Sequence, residues 1–137
     1  MGCIFCDIVT GKISAQKIIE TEKSLAFLDA FPLTKGHALV IPKNHYSKIQ
    51  EMSKEDNTDL FETVRILTGK IENLFSTSLI AIHNGKESGQ EIPHVHVHII
   101  PRSAGDGAGP VHSMFKKRSK LTNEEFDQIT KRLCNKN

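Results

Sequence analysis

Apolar residues in this chain follow two different periods, and the change between them marks out the fold. Short apolar runs come first: residues 17–20 (KIIE), 24–29 (SLAFLD) and 37–42 (HALVIP), the last bounded by Gly36 and Pro42. Runs of this length between turn residues predict strands. From Ser53 the pattern lengthens, with Leu60, Val64, Leu67, Ile71 and Leu74 at spacings of three and four, the apolar stripe of an amphipathic helix. Ser53 followed by Asp56 suits its capped start. Burying those five side chains would contribute about 1.5–3 kcal/mol each before chain entropy is subtracted. Two further runs, 78–83 (SLIAIH) and 93–101 (PHVHVHIIP), flank a polar, glycine-bearing stretch from Asn84 to Glu91. Thr122 and Glu125 form a capping box that opens a second helix, with Phe126, Ile129 and Leu133 on one face. Strands and helices that do not strictly alternate predict an α+β domain: a five-stranded antiparallel sheet with two helices. Residues 102–114 read as a loop.

Composition narrows the possibilities. At 137 residues, 38% hydrophobic and 25% charged, the chain suits one globular domain spanning 1–137, with no repeat or linker to divide it. A formal net charge of +2 gives no reason to expect nucleic-acid binding. The Lys116-Lys117-Arg118 cluster reads as a solvated loop. No apolar leader follows Met1, and no run approaches the roughly 18 apolar residues that span a bilayer. Cys6 stands where an N-myristoylation motif needs Ser or Thr, which rejects that motif. Three cysteines, an odd number, argue against a disulfide framework. The expected location is the reducing cytoplasm.

The run His94-Val95-His96-Val97-His98 carries the candidate chemistry. Successive side chains of a strand point to opposite faces, so the three histidines share one face, about 6.6 Å apart at each step. Val95, Val97 and Ile99 share the other and can pack against helices. A solvent-facing strand or a purely metal-binding row would also give this pattern. The apolar setting between Pro93 and Pro101 favours a working row on a rigid element. Imidazole has an ordinary pKa near 6.5, so its neutral form is available to attack phosphorus without a strong base. The P–N bond so formed is readily cleaved by water, which splits one hard displacement into two easier ones. Neighbouring imidazoles can orient the attacker or assist the leaving group.

Cys3 and Cys6 form a C-x2-C pair, a spacing that lets two thiolates grip one metal ion. A thioredoxin-like redox pair would need a preceding strand, and only two residues precede Cys3. Cys134 lies outside this pair.

HVHVHII resembles the H-φ-H-φ-H-φ-φ signature of the histidine triad (HIT) family of nucleotide hydrolases and transferases. The resemblance extends to IFCDIVTGKI, LAFLDAFPLTKGHALVIPKNH and NGKESGQEIPHVHVHIIPR, nearly the whole chain. It implies the five-stranded antiparallel fold with two helices, doubled into a homodimer. His96, the middle histidine, corresponds to the nucleophile that becomes transiently nucleotidylated, and His98 to a residue that contacts phosphate or helps the leaving group. Asn84, Gly89 and Gln90 match the family's phosphate-contacting loop, and Asp29 the acid that hydrogen-bonds the ribose hydroxyls. Ile4, Phe5, Ile8, Phe27 and Leu28 match the apolar slot for a base, most often a purine. Read without the family, Phe5, Phe27 and Leu28 equally suit plain core packing, and Asp29 a strand-end turn. Zinc-bearing relatives add a histidine after the I-P-K-x segment and the first histidine of the triad, here His45 and His94. With Cys3 and Cys6 these make a Cys2His2 set for a structural Zn²⁺.

The implied function is hydrolysis of a purine nucleotide joined through its α-phosphorus to an amine or similar group, by way of a nucleotidyl-histidine. Two rivals stand beside it: dinucleoside polyphosphate hydrolysis, as in the fragile-histidine-triad branch that Gln90 resembles, and nucleotide binding for regulation or scaffolding with incidental turnover. Two departures from the phosphoramidase-like branch are visible. Glu91 occupies a position that is usually serine there, and the tryptophan-containing C-terminal tail is missing, the chain having no tryptophan at all. The GDGAGPVH loop with His112 is either a cover for the site or a connector.

Overall fold

The computed structural model describes residues 2–135, which divide after Asp106 into two compact units. The first unit contains helix α1 (Ile4–Thr10), strands β1 (Lys17–Glu20), β2 (Ser24–Leu28) and β3 (Ala38–Pro42), helix α2 (Lys54–Phe75) and strands β4 (Thr77–Ala81) and β5 (Val97–Arg102). The strands form one sheet in the order β1-β2-β3-β5-β4, every pair antiparallel. The second unit, from Gly107, contains helix α3 (Asn123–Cys134), preceded by a short 3-10 turn at Val111–Met114. Both arms of the Thr122–Glu125 capping box are made.

Alternation along the strands sorts side chains onto the two faces of the sheet. Ala26, Ala38, Val40, Val97 and Ile99 join Leu60, Val64, Leu67 and Ile71 of α2 in one buried cluster. Leu25, Phe27, Leu39 and Ile41 point the other way and meet Phe5 and Ile8 of α1. The sheet is therefore sandwiched between α2 and α1. Ser53 caps α2 by accepting the Asp56 N–H at 3.1 Å, as its sequence predicts.

Three details differ from expectation. Among the described residues there are three α-helices rather than two, because residues 4–10 coil as well. Two turns with a cysteine N-cap leave little local signal, and this helix is held by tertiary burial of Phe5 and Ile8. Leu74 does not join the α2 stripe: it is 78% exposed. Its neighbour Phe75 packs on the core instead, with its ring against Gly36, where a Cβ would come within 2.5 Å. The last strand begins at Val97 rather than Pro93. Ahead of it the chain stays extended enough to keep alternation, and the Val95 N–H donates to the Tyr46 carbonyl at 2.7 Å.

No described helix is long and apolar enough to cross a membrane.

Candidate active site

Alternation sets the site. His98 lies opposite Leu39 in the β3–β5 register, so it faces the α1 side, and His96 and His94 share that face two and four residues earlier. Phe5 of α1 touches both in edge-on contacts, with ring centroids 5.0 Å from His96 and 5.7 Å from His94. Val95 and Val97 point into the opposite cluster.

His96 is only 7% exposed, yet it borders a cavity of about 780 Å³. Its Nδ1 lies 2.7 Å from the His94 carbonyl oxygen. A carbonyl can only accept, so Nδ1 carries the proton and Nε2 keeps its lone pair. Burial, above all, holds the ring below its ordinary pKa, against the opposing pull of that carbonyl. A neutral imidazole with a fixed tautomer and a free Nε2 is a nucleophile ready for use.

His98 is fixed by a residue not singled out in the sequence. His37, buried at the start of β3, accepts the Leu33 N–H on Nδ1 at 3.1 Å. Its Nε2 must then hold the proton, which it offers to His98 Nδ1 at 3.0 Å. That leaves His98 as an Nε2–H donor. Burial, with the neighbouring His96, His37 and His83, lowers the His98 pKa to about 4. The Asp29 carboxylate stands 3.6 Å from His37 Nε2 and accepts the Phe31 N–H at 2.8 Å. Asp29 is thus both a turn residue and a cavity wall. His37 was hidden within an apolar run; a polar residue behind Gly36 at the mouth of a buried strand was the available signal.

His83 is a second residue that sequence reading passed over. It borders the cavity, its ring centroid 5.6 Å from that of His98. The ring lies against Gly89, whose φ of +111° suits glycine and where a Cβ would stand 3.1 Å from the ring.

The other expected ligand contacts divide. Asp29, Gly89, Ile4, Phe5, Ile8, Phe27 and Leu28 all border the cavity with His96 and His98. Phe5, Ile8 and Phe27 are also core residues, so packing and lining are one role here. Asn84 and Gln90 do not border it. Asn84 accepts the Ile49 N–H at 2.9 Å and donates to Gln50 at 3.0 Å. Gln90 accepts from Gly85 N–H and donates to the Ser47 carbonyl, both at 2.8 Å. Their amides hold two loops together, which is a different task from meeting a phosphate.

On the far side of His94 lies a cluster of possible metal donors. Cys3 Sγ, Cys6 Sγ, His45 Nδ1 and His94 Nδ1 all fall within 4.8 Å of one another. The individual separations are 3.4 Å for Cys3–His94, 3.4 Å for Cys6–His45 and 3.2 Å for His45–His94. Bond lengths of about 2.0–2.3 Å around a tetrahedral zinc give edges of this order. His94 Nε2–H donates to the Pro42 carbonyl at 2.8 Å, leaving Nδ1 as the lone pair that a metal needs. His45 is positioned from both sides: Asn44 and Tyr46 donate to the buried Asp56 carboxylate of α2 at 2.9 and 2.6 Å, which holds that carboxyl below its ordinary pKa.

Comparison with known proteins places this geometry among relatives. A family model described as the HIT domain matches residues 10–105. The chain is 42% identical to the adenosine 5'-monophosphoramidase hnt1 of Schizosaccharomyces pombe, covering 96% of this chain and 100% of that protein. It is 41% identical to an asymmetrical bis(5'-nucleosyl)-tetraphosphatase of the same yeast, over 69% of this chain and 53% of that protein. A crystal structure of a HIT-family member from Bacillus subtilis superposes with a TM-score of 0.86 at 36% identity, covering 97% of this chain and 95% of that one.

Proposed function

The chain belongs to the HIT-domain family, and from that premise we propose that it is a nucleotide hydrolase in which His96 Nε2 attacks the α-phosphorus of a purine nucleotide conjugate. The observation that carries the proposal is the His96 tautomer: the His94 carbonyl accepts a hydrogen bond from Nδ1–H, which leaves Nε2 with its lone pair in a ring that borders the cavity. The base enters the slot beside Phe5 and Phe27, and Asp29 meets the ribose. The His98 Nε2–H donates a hydrogen bond to a phosphoryl oxygen or to the bridging atom. Attack forms the P–Nε2 bond as the P–N bond to the amine breaks; the amine nitrogen keeps that electron pair and a proton from solvent. Water then attacks phosphorus, the P–Nε2 pair returns to His96, and the products are a free amine and a nucleoside monophosphate. A nucleoside phosphoramidate is the preferred reading of the substrate, supported by the full-length match to the yeast phosphoramidase. Dinucleoside polyphosphate cleavage is the second reading, supported by the tetraphosphatase relative.

In this reading the Cys2His2 cluster holds one structural zinc, which supplies a cross-link between the N-terminus and the segment that enters β5 and takes no part in the reaction. The working form is a homodimer in a reducing compartment such as the cytoplasm, where Cys3 and Cys6 stay out of disulfides and available as thiolate ligands.

The test is to quench the protein during turnover of adenosine phosphoramidate and look for a nucleotidylated peptide containing His96. An adduct there is the expected result. Cleavage with the label on another residue, or no cleavage of either substrate class, overturns the proposal.

A further inference from the structure

Among the described residues, no lysine or arginine borders the cavity that holds His96 and His98. Its acidic side chains are two carboxylates, Asp29 and Glu91. That is a demanding environment for a phosphorylated ligand, since each carboxylate repels every anionic oxygen brought near it. Asp29 is committed to the Phe31 N–H and to the neighbourhood of His37. Glu91 is exposed and makes no hydrogen bond or ion pair among the described residues. It borders the main cavity and also a smaller adjoining recess with Lys86, Gly89, Gln90 and Pro93, so it stands on the rim between them. None of the slot residues Ile4, Phe5, Ile8, Phe27 and Leu28 borders that recess, so Glu91 stands on the side of the cavity away from the base slot. Lys86 shares the recess without pairing with it.

Resting on the reading of the site as a nucleotide hydrolase, we propose that Glu91 selects the leaving group by its charge. The site takes nucleoside phosphoramidates whose amine carries a further positive charge, and turns away leaving groups that carry carboxylate or phosphate. A cation beside Glu91 offsets the repulsion between its carboxylate and the bound phosphoryl group. A polyphosphate adds several negative charges beside these carboxylates, and no lysine or arginine borders the main cavity to receive them. At a partly hydrated rim, each unit of charge changes discrimination by roughly tenfold at low salt, and less as ions screen it.

The experiment uses one nucleoside joined to three amines of matched length: a diamine, a simple alkylamine and an ω-amino acid, with diadenosine tetraphosphate as a fourth substrate. The ratio of kcat/KM for the cationic over the anionic amine is the readout, so general damage to a variant cancels. In the wild-type protein this ratio is about 30–100 at low salt, falls several-fold at high salt, and diadenosine tetraphosphate is the slowest substrate. In Glu91→Gln it shrinks to within about threefold of unity, and in Glu91→Lys it inverts. A wild type that cleaves all three amides equally, a ratio indifferent to salt, or one that survives Glu91→Gln overturns charge selection while the hydrolase reading stands. A wild type that cleaves none of the four defeats both. The salt series needs no variant, so the inference stays open to refutation if Glu91 variants do not fold.

Discussion

His94 and His96 stand two residues apart on the same face, and each has one ring nitrogen tied to a backbone carbonyl, yet the outcome is opposite. His94 donates Nε2–H to Pro42 and turns the Nδ1 lone pair toward two thiols and His45. His96 donates Nδ1–H to His94 and keeps its lone pair on Nε2. One residue type, in one run, thus presents its lone pair to a cluster of possible metal donors or to the cavity, according to which nitrogen a carbonyl claims. The two regions are also chained together, because the His94 backbone oxygen is what fixes His96. Whatever holds His94 in place also sets the aim of the nucleophile.

The sharpest way to break this comparison is to remove the nucleophile. His96→Ala should lower kcat by about 10⁴-fold or more, while adenosine monophosphate affinity, read by calorimetry, changes only a few-fold. Surviving turnover would place the attack elsewhere. The next largest effect falls on the other region. Cys3→Ser should abolish binding of one zinc per chain, read by elemental analysis, and lower the melting temperature by roughly 10 °C or more. Purified protein that holds no zinc and melts identically with and without chelator would dissolve the ligand half of the contrast.

The residue that orients His98 comes third. His37→Ala should reduce kcat by roughly 10–10²-fold with KM little changed. An equal fall in nucleotide affinity would make His37 a packing residue only.

Acid sharpens the picture further. The His98 pKa is lowered to about 4, so between about 6.5 and about 4 the unfolded chain binds the extra proton and the folded one does not. Stability from this source is whole above about 6.5, falls as pH drops toward about 4, and levels off below that. Because burial also lowers the His96 pKa, kcat should stay flat through pH 6.5 and fall only at lower pH, where the ring takes up a proton. A half-maximal rate at or above pH 6.5 would mean that the rings are more hydrated than the fold implies.

The smallest effect belongs to Asn84. Asn84→Ala should lower stability by about 0.5–1.5 kcal/mol per lost hydrogen bond, measured by urea unfolding, and leave phosphate affinity nearly unchanged.

Much of the architecture was legible in the chain itself. Short apolar runs between turn residues placed all five strands, and the Leu60-Val64-Leu67-Ile71 stripe placed α2, because run length and helical pitch are local features. The C-x2-C pair and the histidine alternation were readable for the same reason: spacing alone decides which side chains can meet. Helix α1 was not legible, since seven residues coil only when the sheet offers Phe5 and Ile8 a place to bury. The last turn of α2 was likewise decided by Gly36, which admits the Phe75 ring to the core and leaves Leu74 exposed.

The site shows the same division. Sequence by itself determined which residues are able to do chemistry, and that His94, His96 and His98 share one face. Only the tertiary structure decided which nitrogen each ring presents, because the carbonyls of Pro42 and His94 and the ring of His37 come from partners placed by folding. It also withdrew Asn84 and Gln90 from the cavity, by giving their amides other partners, and brought in His37 and His83. A side chain's type is written in the chain, whereas its proton and its direction follow from what the fold sets beside it.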